Sequence, residues 1–322
     1  MSYLQVKIGE PLTLPPLGKL PATVHVFDQA SVDAVNAALA ANRPLLVRGE
    51  PGTGKSQLAR AAAAGLGRAL LTTVIDARTE ARDLLWSFDA VARLAEAQVQ
   101  GALGARDEAA VREALREEKF VAPGPLWWAF DWQDALRQAE LAKAGVPLVP
   151  ESWRPEQGTV LLIDEIDKAD TAVPNGLLEC LGQGQFTCPG GGTVTRSEGV
   201  RPLVILTTNE ERALPDPFLR RCLVLQLSWP EKQEELVAAL MRRGQAHFPG
   251  CSEAVLKEAA ERVAADRAEV AHRGLFPPGG AEYLDLLRAL VELGNGDEAR
   301  QKELLERIAR FTLDKHPTEP RW

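Results

Sequence analysis

Gly49-Glu50-Pro51-Gly52-Thr53-Gly54-Lys55-Ser56 decides how the rest of this chain is read. It follows the short apolar run Leu45-Leu46-Val47-Arg48, which reads as a buried strand. Behind it comes Gln57-Leu58-Ala59-Arg60-Ala61-Ala62-Ala63-Ala64, a segment of strong helix formers. Strand, glycine loop and helix together carry the full G-x-x-x-x-G-K-[ST] spacing. The glycines let the backbone wrap so that successive N–H groups converge on phosphate oxygens, and the helix N-terminus adds partial positive charge there. Gly49, Glu50, Pro51, Gly52, Thr53, Gly54, Lys55, Ser56 and Gln57 are therefore the expected nucleotide-binding residues. Lys55 is expected on the β- and γ-phosphates, and the Ser56 hydroxyl on Mg²⁺.

A second stretch, about a hundred residues downstream, supplies carboxylates. Thr159-Val160-Leu161-Leu162-Ile163-Asp164-Glu165-Ile166-Asp167 is an apolar strand ending in two acids. In a parallel sheet both would lie at the carboxyl edge, beside the phosphate loop. Asp164 is expected to hold Mg²⁺ through its water shell, and Glu165 to orient and deprotonate the attacking water. Leu203-Val204-Ile205-Leu206-Thr207-Thr208-Asn209 is another buried strand, with Asn209 placed to hydrogen-bond that water or the γ-phosphate. Pro215-Asp216-Pro217-Phe218-Leu219-Arg220-Arg221-Cys222 reads as a proline-started short helix. Its Arg220 and Arg221 are either surface charge or an arginine finger reaching a neighbouring subunit's nucleotide.

Around these stretches the pattern is plainer. Residues 1–23, punctuated by prolines, are expected as an extended arm. Val24-His25-Val26-Phe27 either packs in the core or contacts the base, and a helix over 32–41 would be capped by Asp28 or Ser31. Residues 69–75 read as a strand and 79–100 as a helix, because Leu84, Leu85, Phe88, Val91 and Leu94 recur at helical spacing. Residues 106–118 read as a solvated helix. The aromatic cluster Trp127, Trp128, Phe130 and Trp132 has no interleaved basic residues, which favours core or interface packing over base stacking. A surface loop is expected over 141–154, a helix over 172–181, and a glycine-tipped hairpin over 185–195. From 231 to 311 only helical patterns remain, and 316–322 is a proline-containing tail.

Composition sets the outer bounds. A length of 322 residues suits about two domains, and a formal charge of −8 argues against broad attraction to nucleic acid or anionic membrane. The four cysteines show no C-x-x-C pairing and the four histidines no metal spacing, which suits free thiols in a reducing cytoplasm. No apolar signal core or membrane-length run occurs, so a soluble cytoplasmic protein is expected.

The order of glycine loop, strand-terminal Asp-Glu, strand-terminal Asn, arginine pair and helical C-terminus resembles the AAA+ ATPases, and more narrowly the MoxR group and its dynein-related relatives. Gly124-Pro125-Leu126 ahead of the carboxylate strand and the hairpin ahead of the Asn209 strand strengthen the likeness, which covers about residues 24–290. It implies an α/β P-loop NTPase of the ASCE type. Helices would sandwich a five-stranded parallel sheet of order 5-1-4-3-2, followed by an all-α lid. The implied division is an arm over 1–23, a core over 24–228 and a lid with tail over 229–322. Within the core, inserts near 101–158 and 184–201 would face a pore or a partner.

The resemblance further implies ATP and Mg²⁺, a hexameric ring, and chaperone-like remodelling of a protein client with a von Willebrand factor A domain protein. Lys55, Ser56, Asp164, Glu165 and Asn209 would act in cis and Arg221 (or Arg220) in trans. The alternative, a nucleic-acid-stimulated motor, needs basic pore loops, and the hairpin offers only Arg196 and Arg201. Many relatives carry a sensing arginine on the lid, where this chain reads Pro277-Pro278-Gly279-Gly280-Ala281-Glu282-Tyr283. Arg273 or Arg288 would substitute, or the lid senses nucleotide by other contacts.

Overall fold

Apolar runs of five or six residues, too short for helices and rich in Leu, Val and Ile, supply the strands of the main sheet. The computed structural model describes residues 3–103, 107–199, 201–272 and 277–313. The chain runs β1 (Pro11–Leu14), β2 (Thr23–Val26), α1 (Gln29–Ala41), β3 (Leu45–Gly49), α2 (Lys55–Leu66) and β4 (Ala69–Val74). Next come β5 (Trp86–Phe88), α3 (Ala90–Ala102), α4 (Glu108–Ala114), β6 (Val121–Pro123), α5 (Pro125–Phe130), α6 (Trp132–Ala142) and β7 (Thr159–Asp164). They are followed by α7 (Ala172–Gln183), β8 (Gln185–Thr187), β9 (Thr193–Thr195), β10 (Leu203–Thr208), α8 (Asp216–Leu219) and β11 (Leu223–Leu227). Helices α9 (Gln233–His247), α10 (Glu253–His272), α11 (Gly280–Gly294) and α12 (Glu298–Leu313) complete it. Two compact units result: 1–6, 30–47 and 59–225 form the first, and 7–29, 48–58 and 226–322 the second.

The first unit is built on a parallel sheet of order β11-β3-β10-β7-β4, the expected 5-1-4-3-2. Val160 lies opposite both Leu203 and Leu70, so β7 is paired along both edges. Every residue of β10 is buried, as are the first five of β7. Such unbroken burial is what a parallel sheet covered on both faces demands. The aromatic cluster belongs to this core: Trp127 and Phe130 both pack against Phe186 with ring centroids 5.9 Å apart. The hairpin is present, with Phe186 of β8 opposite Val194 of β9.

Two local expectations are corrected here. Residues 84–88 do not continue a helix over 79–100; Trp86 and Phe88 pair antiparallel with Pro123 and Val121. The helix begins only at Ala90, where the Asp89 carboxylate accepts from the Ala92 N–H at 2.7 Å and caps it. Helix α1 likewise starts at Gln29, so Ser31 lies inside it and is buried, whereas Asp28 immediately precedes it.

In the second unit, residues 11–14 of the N-terminal segment are extended. β1 pairs antiparallel with β2 from Pro11↔Val26 to Leu14↔Thr23, and Leu14 is fully buried. Burying Leu14 and satisfying the backbone of β1 hold this stretch in place. Helices α9 to α12 enclose a core that includes Leu240, Val255, Tyr283, Leu287 and Leu290. The Tyr283 hydroxyl donates to the Leu256 carbonyl at 3.0 Å, which settles its one polar atom. The expected tail at 316–322 lies outside the described residues.

Candidate functional site

The glycine loop leaves β3 through backbone that only glycine tolerates. Gly49 has φ +144°, and a Cβ there would stand 2.1 Å from the Leu227 carbonyl oxygen. Gly52 and Gly54 also have positive φ, at +76° and +103°. Lys55 opens α2, and its buried ammonium donates back to the Gly49 and Glu50 carbonyls at 2.7 and 2.9 Å. The loop is thus already curled around its own lysine. Gln57, one turn into α2, donates to the Val24 carbonyl at 2.6 Å and ties the helix start to β2.

Lid residues of the same unit close on this loop. Arg243 of α9 donates to the Thr53 and Gly52 carbonyls at 2.8 and 3.2 Å, and its guanidinium lies 5.1 Å over the Trp229 ring. Burial holds its pKa below the usual arginine range. Room for it comes from Gly280, where a Cβ would sit 2.3 Å from Arg243 Nη1 and 2.7 Å from the Trp229 ring. Arg267 of α10 ion-pairs with Glu50 of the loop and donates to the Pro278 carbonyl at 3.2 Å. A cavity of about 720 Å³ adjoins the loop, lined among others by Val24, His25, Thr53, Gln57, Trp229 and His247. Burial first, then the nearby Arg243 charge, pulls the His25 pKa down to about 4; His247 shifts the same way for the same leading causes. Phe27 packs in the core at 1% exposure, whereas Val26 is exposed and His25 lines the cavity.

In the first unit, a hydroxyl joins the two acidic residues at the end of β7. Thr207 Oγ1, from β10, donates to Asp164 Oδ1 in a short contact and accepts from the Glu165 N–H at 3.0 Å. Glu165 sits at φ +62°, a left-handed conformation that costs an ordinary residue roughly 1–2 kcal/mol. Its carboxylate accepts from Lys168 Nζ at 2.8 Å, and that hydrogen bond raises the lysine pKa. Buried Asp167 accepts from the Glu211 N–H at 3.0 Å and so links the turn after Glu165 to the turn after Asn209. Asn209 is half-buried at the end of β10, and Arg220 and Arg221 are exposed beyond α8.

Residues 44–243 match the profile of the AAA domain, dynein-related subfamily, a span running from the residue before β3 into α9. The chain belongs to that AAA family. No curated protein matches this AAA chain. Among solved structures it is similar to a point mutant of RuvB from Thermotoga maritima, with 16% identity, a TM-score of 0.48, and 87% of this chain and 68% of that one covered. It is similar also to a candidate ATPase from Cytophaga hutchinsonii, with 17% identity, a TM-score of 0.37, and 88% and 79% coverage. No helix among the described residues is long and apolar enough to cross a membrane.

Of the lid arginines expected to substitute, Arg288 pairs with Asp285 on α11 at 3.2 Å. Arg273 lies outside the described residues. The arginines at the loop are Arg243 and Arg267, from helices whose spacing gave no sign of it. Sequence reading also passed over Thr207, Asp167 and Lys168. Only the paired threonines before Asn209 offered a hint, since hydroxyls at the end of an otherwise apolar strand need a partner.

Proposed function

We propose that this AAA protein is a Mg²⁺-dependent ATPase that converts ATP and water to ADP and phosphate and uses the cycle to remodel a protein partner. In this reading it works in a MoxR-like manner, as a ring of identical subunits, with a von Willebrand factor A domain protein as its counterpart. The observation that carries the hydrolytic part is the sheet itself. Residues 45–47, 159–164 and 203–208 run as strands of one parallel sheet, whose carboxyl ends share an edge. The glycine loop, Asp164-Glu165 and Asn209 follow those three strands directly.

The donor set suits magnesium. Ser56 and Asp164 offer hard oxygens, and no cluster of three or more acidic, His or Cys ligands occurs among the described residues. That is the sparse protein ligation Mg²⁺ takes when phosphates and waters complete its shell. Bound there, the ion would neutralise charge on the β- and γ-phosphates. The loop N–H groups and Lys55 would orient the triphosphate, with Lys55 leaving its own loop carbonyls to do so. Glu165 would accept the proton of the attacking water, which requires release from Lys168. Asn209 would hold that water in line, and Arg221 or Arg220 of an adjoining subunit would stabilise charge in the transition state. The cavity beside the loop would take the base. Its His25 is neutral near pH 7 and can offer both a donor and an acceptor.

Steady-state phosphate release decides the hydrolytic reading. Wild-type protein should hydrolyse ATP with a specific activity that climbs with protein concentration, while Lys55→Ala and Glu165→Gln should be inactive. A rate flat across the assembly range would remove the trans arginine, and equal activity in all three proteins would remove the site. Capture of a client by the nucleotide-loaded Glu165→Gln protein tests the remodelling half.

A further inference from the structure

Arg220 and Arg221 are presented by a turn that is fixed from within and braced from one side. Phe218 is fully buried and Cys222 nearly so, and the intervening turn is closed by Arg221 N–H to the Phe218 carbonyl at 3.0 Å and Cys222 N–H to the Leu219 carbonyl at 3.2 Å. Packing therefore anchors 218 and 222 and turns the two arginines outward. The carbonyls of 220 and 221, just past the end of α8, have no helical donor left to them. Arg43 fills that need: its Nε donates to the Arg221 carbonyl at 2.9 Å and its Nη2 makes a short contact to the Arg220 carbonyl.

Arg43 is itself held firmly. It follows Asn42, which ends α1 at φ +50°, and its N–H donates to the Ala38 carbonyl at 3.1 Å. One residue on, the Pro44 carbonyl accepts from Leu223 N–H at 2.9 Å and starts β11. The end of α1 and the start of β11 thus grip the finger turn between them.

The charges make this arrangement unusual. Three guanidinium-bearing residues meet at one turn, and none of Arg43, Arg220 or Arg221 forms an ion pair with a carboxylate among the described residues. Glu179, on the wall of the adjoining groove, accepts from Gln183 instead. In a chain of net charge −8, an unneutralised arginine cluster is directed at an anion from elsewhere. We propose that Arg43 is a positioning residue: its forked guanidinium fixes the backbone of Arg220-Arg221 so that their side chains reach the nucleotide phosphates of the adjoining copy. This rests on the trans-arginine reading given above.

The test is complementation between defective subunits. Arg43→Ala protein keeps its own carboxylates but misplaces its arginines, whereas Glu165→Gln protein keeps its arginines but cannot hydrolyse. Alone, Arg43→Ala should lose about 10²-fold in turnover, the scale of a misplacement of about 1 Å, with its ATP affinity unchanged. Arg43→Lys should fall between, because one ammonium cannot fork across two carbonyls. Mixed with Glu165→Gln, Arg43→Ala should recover at least ~10-fold over the sum of the separate rates, and Arg221→Ala should recover in the same way. Recovery by Arg221→Ala but not by Arg43→Ala, or wild-type turnover in Arg43→Ala, overturns the positioning role and leaves the finger standing. Wild-type turnover in Arg220→Ala and Arg221→Ala alike, or no recovery in either mixture, removes the trans arginine and this inference with it.

Discussion

One hydroxyl, that of Thr207, joins the two acidic residues at the end of β7. Thr207→Val keeps the shape but removes the acceptor of the Glu165 N–H and the hydroxyl that donates to Asp164. Such a loss costs about 1–3 kcal/mol, to be read as a lower urea midpoint at unchanged m-value. Thr207→Ser should retain most of it; equal losses for both variants would mean that packing of the methyl group, and not the hydroxyl, is what matters. His25 gives a second residue-scale expectation. Its folded pKa is about 4 against an ordinary 6.5, so the unfolded chain takes up the proton first as pH falls. Its contribution is full above pH 6.5 and is lost as pH drops toward 4, by no more than about 3 kcal/mol. Arg243 and His247 oppose the proton and Asp28 favours it. Urea midpoints between pH 7 and pH 4.5 should therefore fall further for wild type than for His25→Gln, and parallel decreases would count against the burial of that ring.

At the scale of elements, glycines decide how helices approach. Gly244, in α9, has the Tyr283 hydroxyl 2.6 Å and the Leu256 and Leu287 side chains 2.9 Å from where a Cβ would stand. Gly244→Ala gains about 1 kcal/mol of helix propensity, but forcing α9 away from α10 and α11 costs about 1–3 kcal/mol. Net destabilisation is expected, seen as a lower melting temperature; a rise would show that the lid core has slack. The elements were legible in the sequence where the period was strong. The apolar runs at 159–164 and 203–208 became β7 and β10, and the glycine tip at 190–192 became a hairpin turn. They were misread at 84–88, where leucine spacing imitated a helix. A strand of three residues is chosen by its partner, and that partner, β6, lies more than thirty residues away in sequence.

On the scale of the whole molecule, the chain is two compact units, and the glycine loop belongs to the one that also contains the lid helices. Nucleotide binding should therefore raise the unfolding transition that includes α9 to α12. At ligand a hundredfold above its Kd the gain is about 2.7 kcal/mol. Thermal scans of wild type and Lys55→Ala with and without Mg²⁺-ATP measure it. A shift of the same size in both proteins would mean that the ligand stabilises through some place other than the loop.

Local sequence determined the loop, the carboxylate strand tip, Asn209 and the arginine pair, because each is written as a fixed spacing on a short segment. It determined the sheet order only through resemblance to relatives. What the tertiary structure alone decided are the partners: Arg243 and Arg267 on the loop, Thr207 between the acids, Arg43 behind the arginine pair. Each pairs residues between 42 and 217 positions apart. No periodicity spans such distances, since they are set by which faces the helices bury and where an absent Cβ, as at Gly280, leaves room.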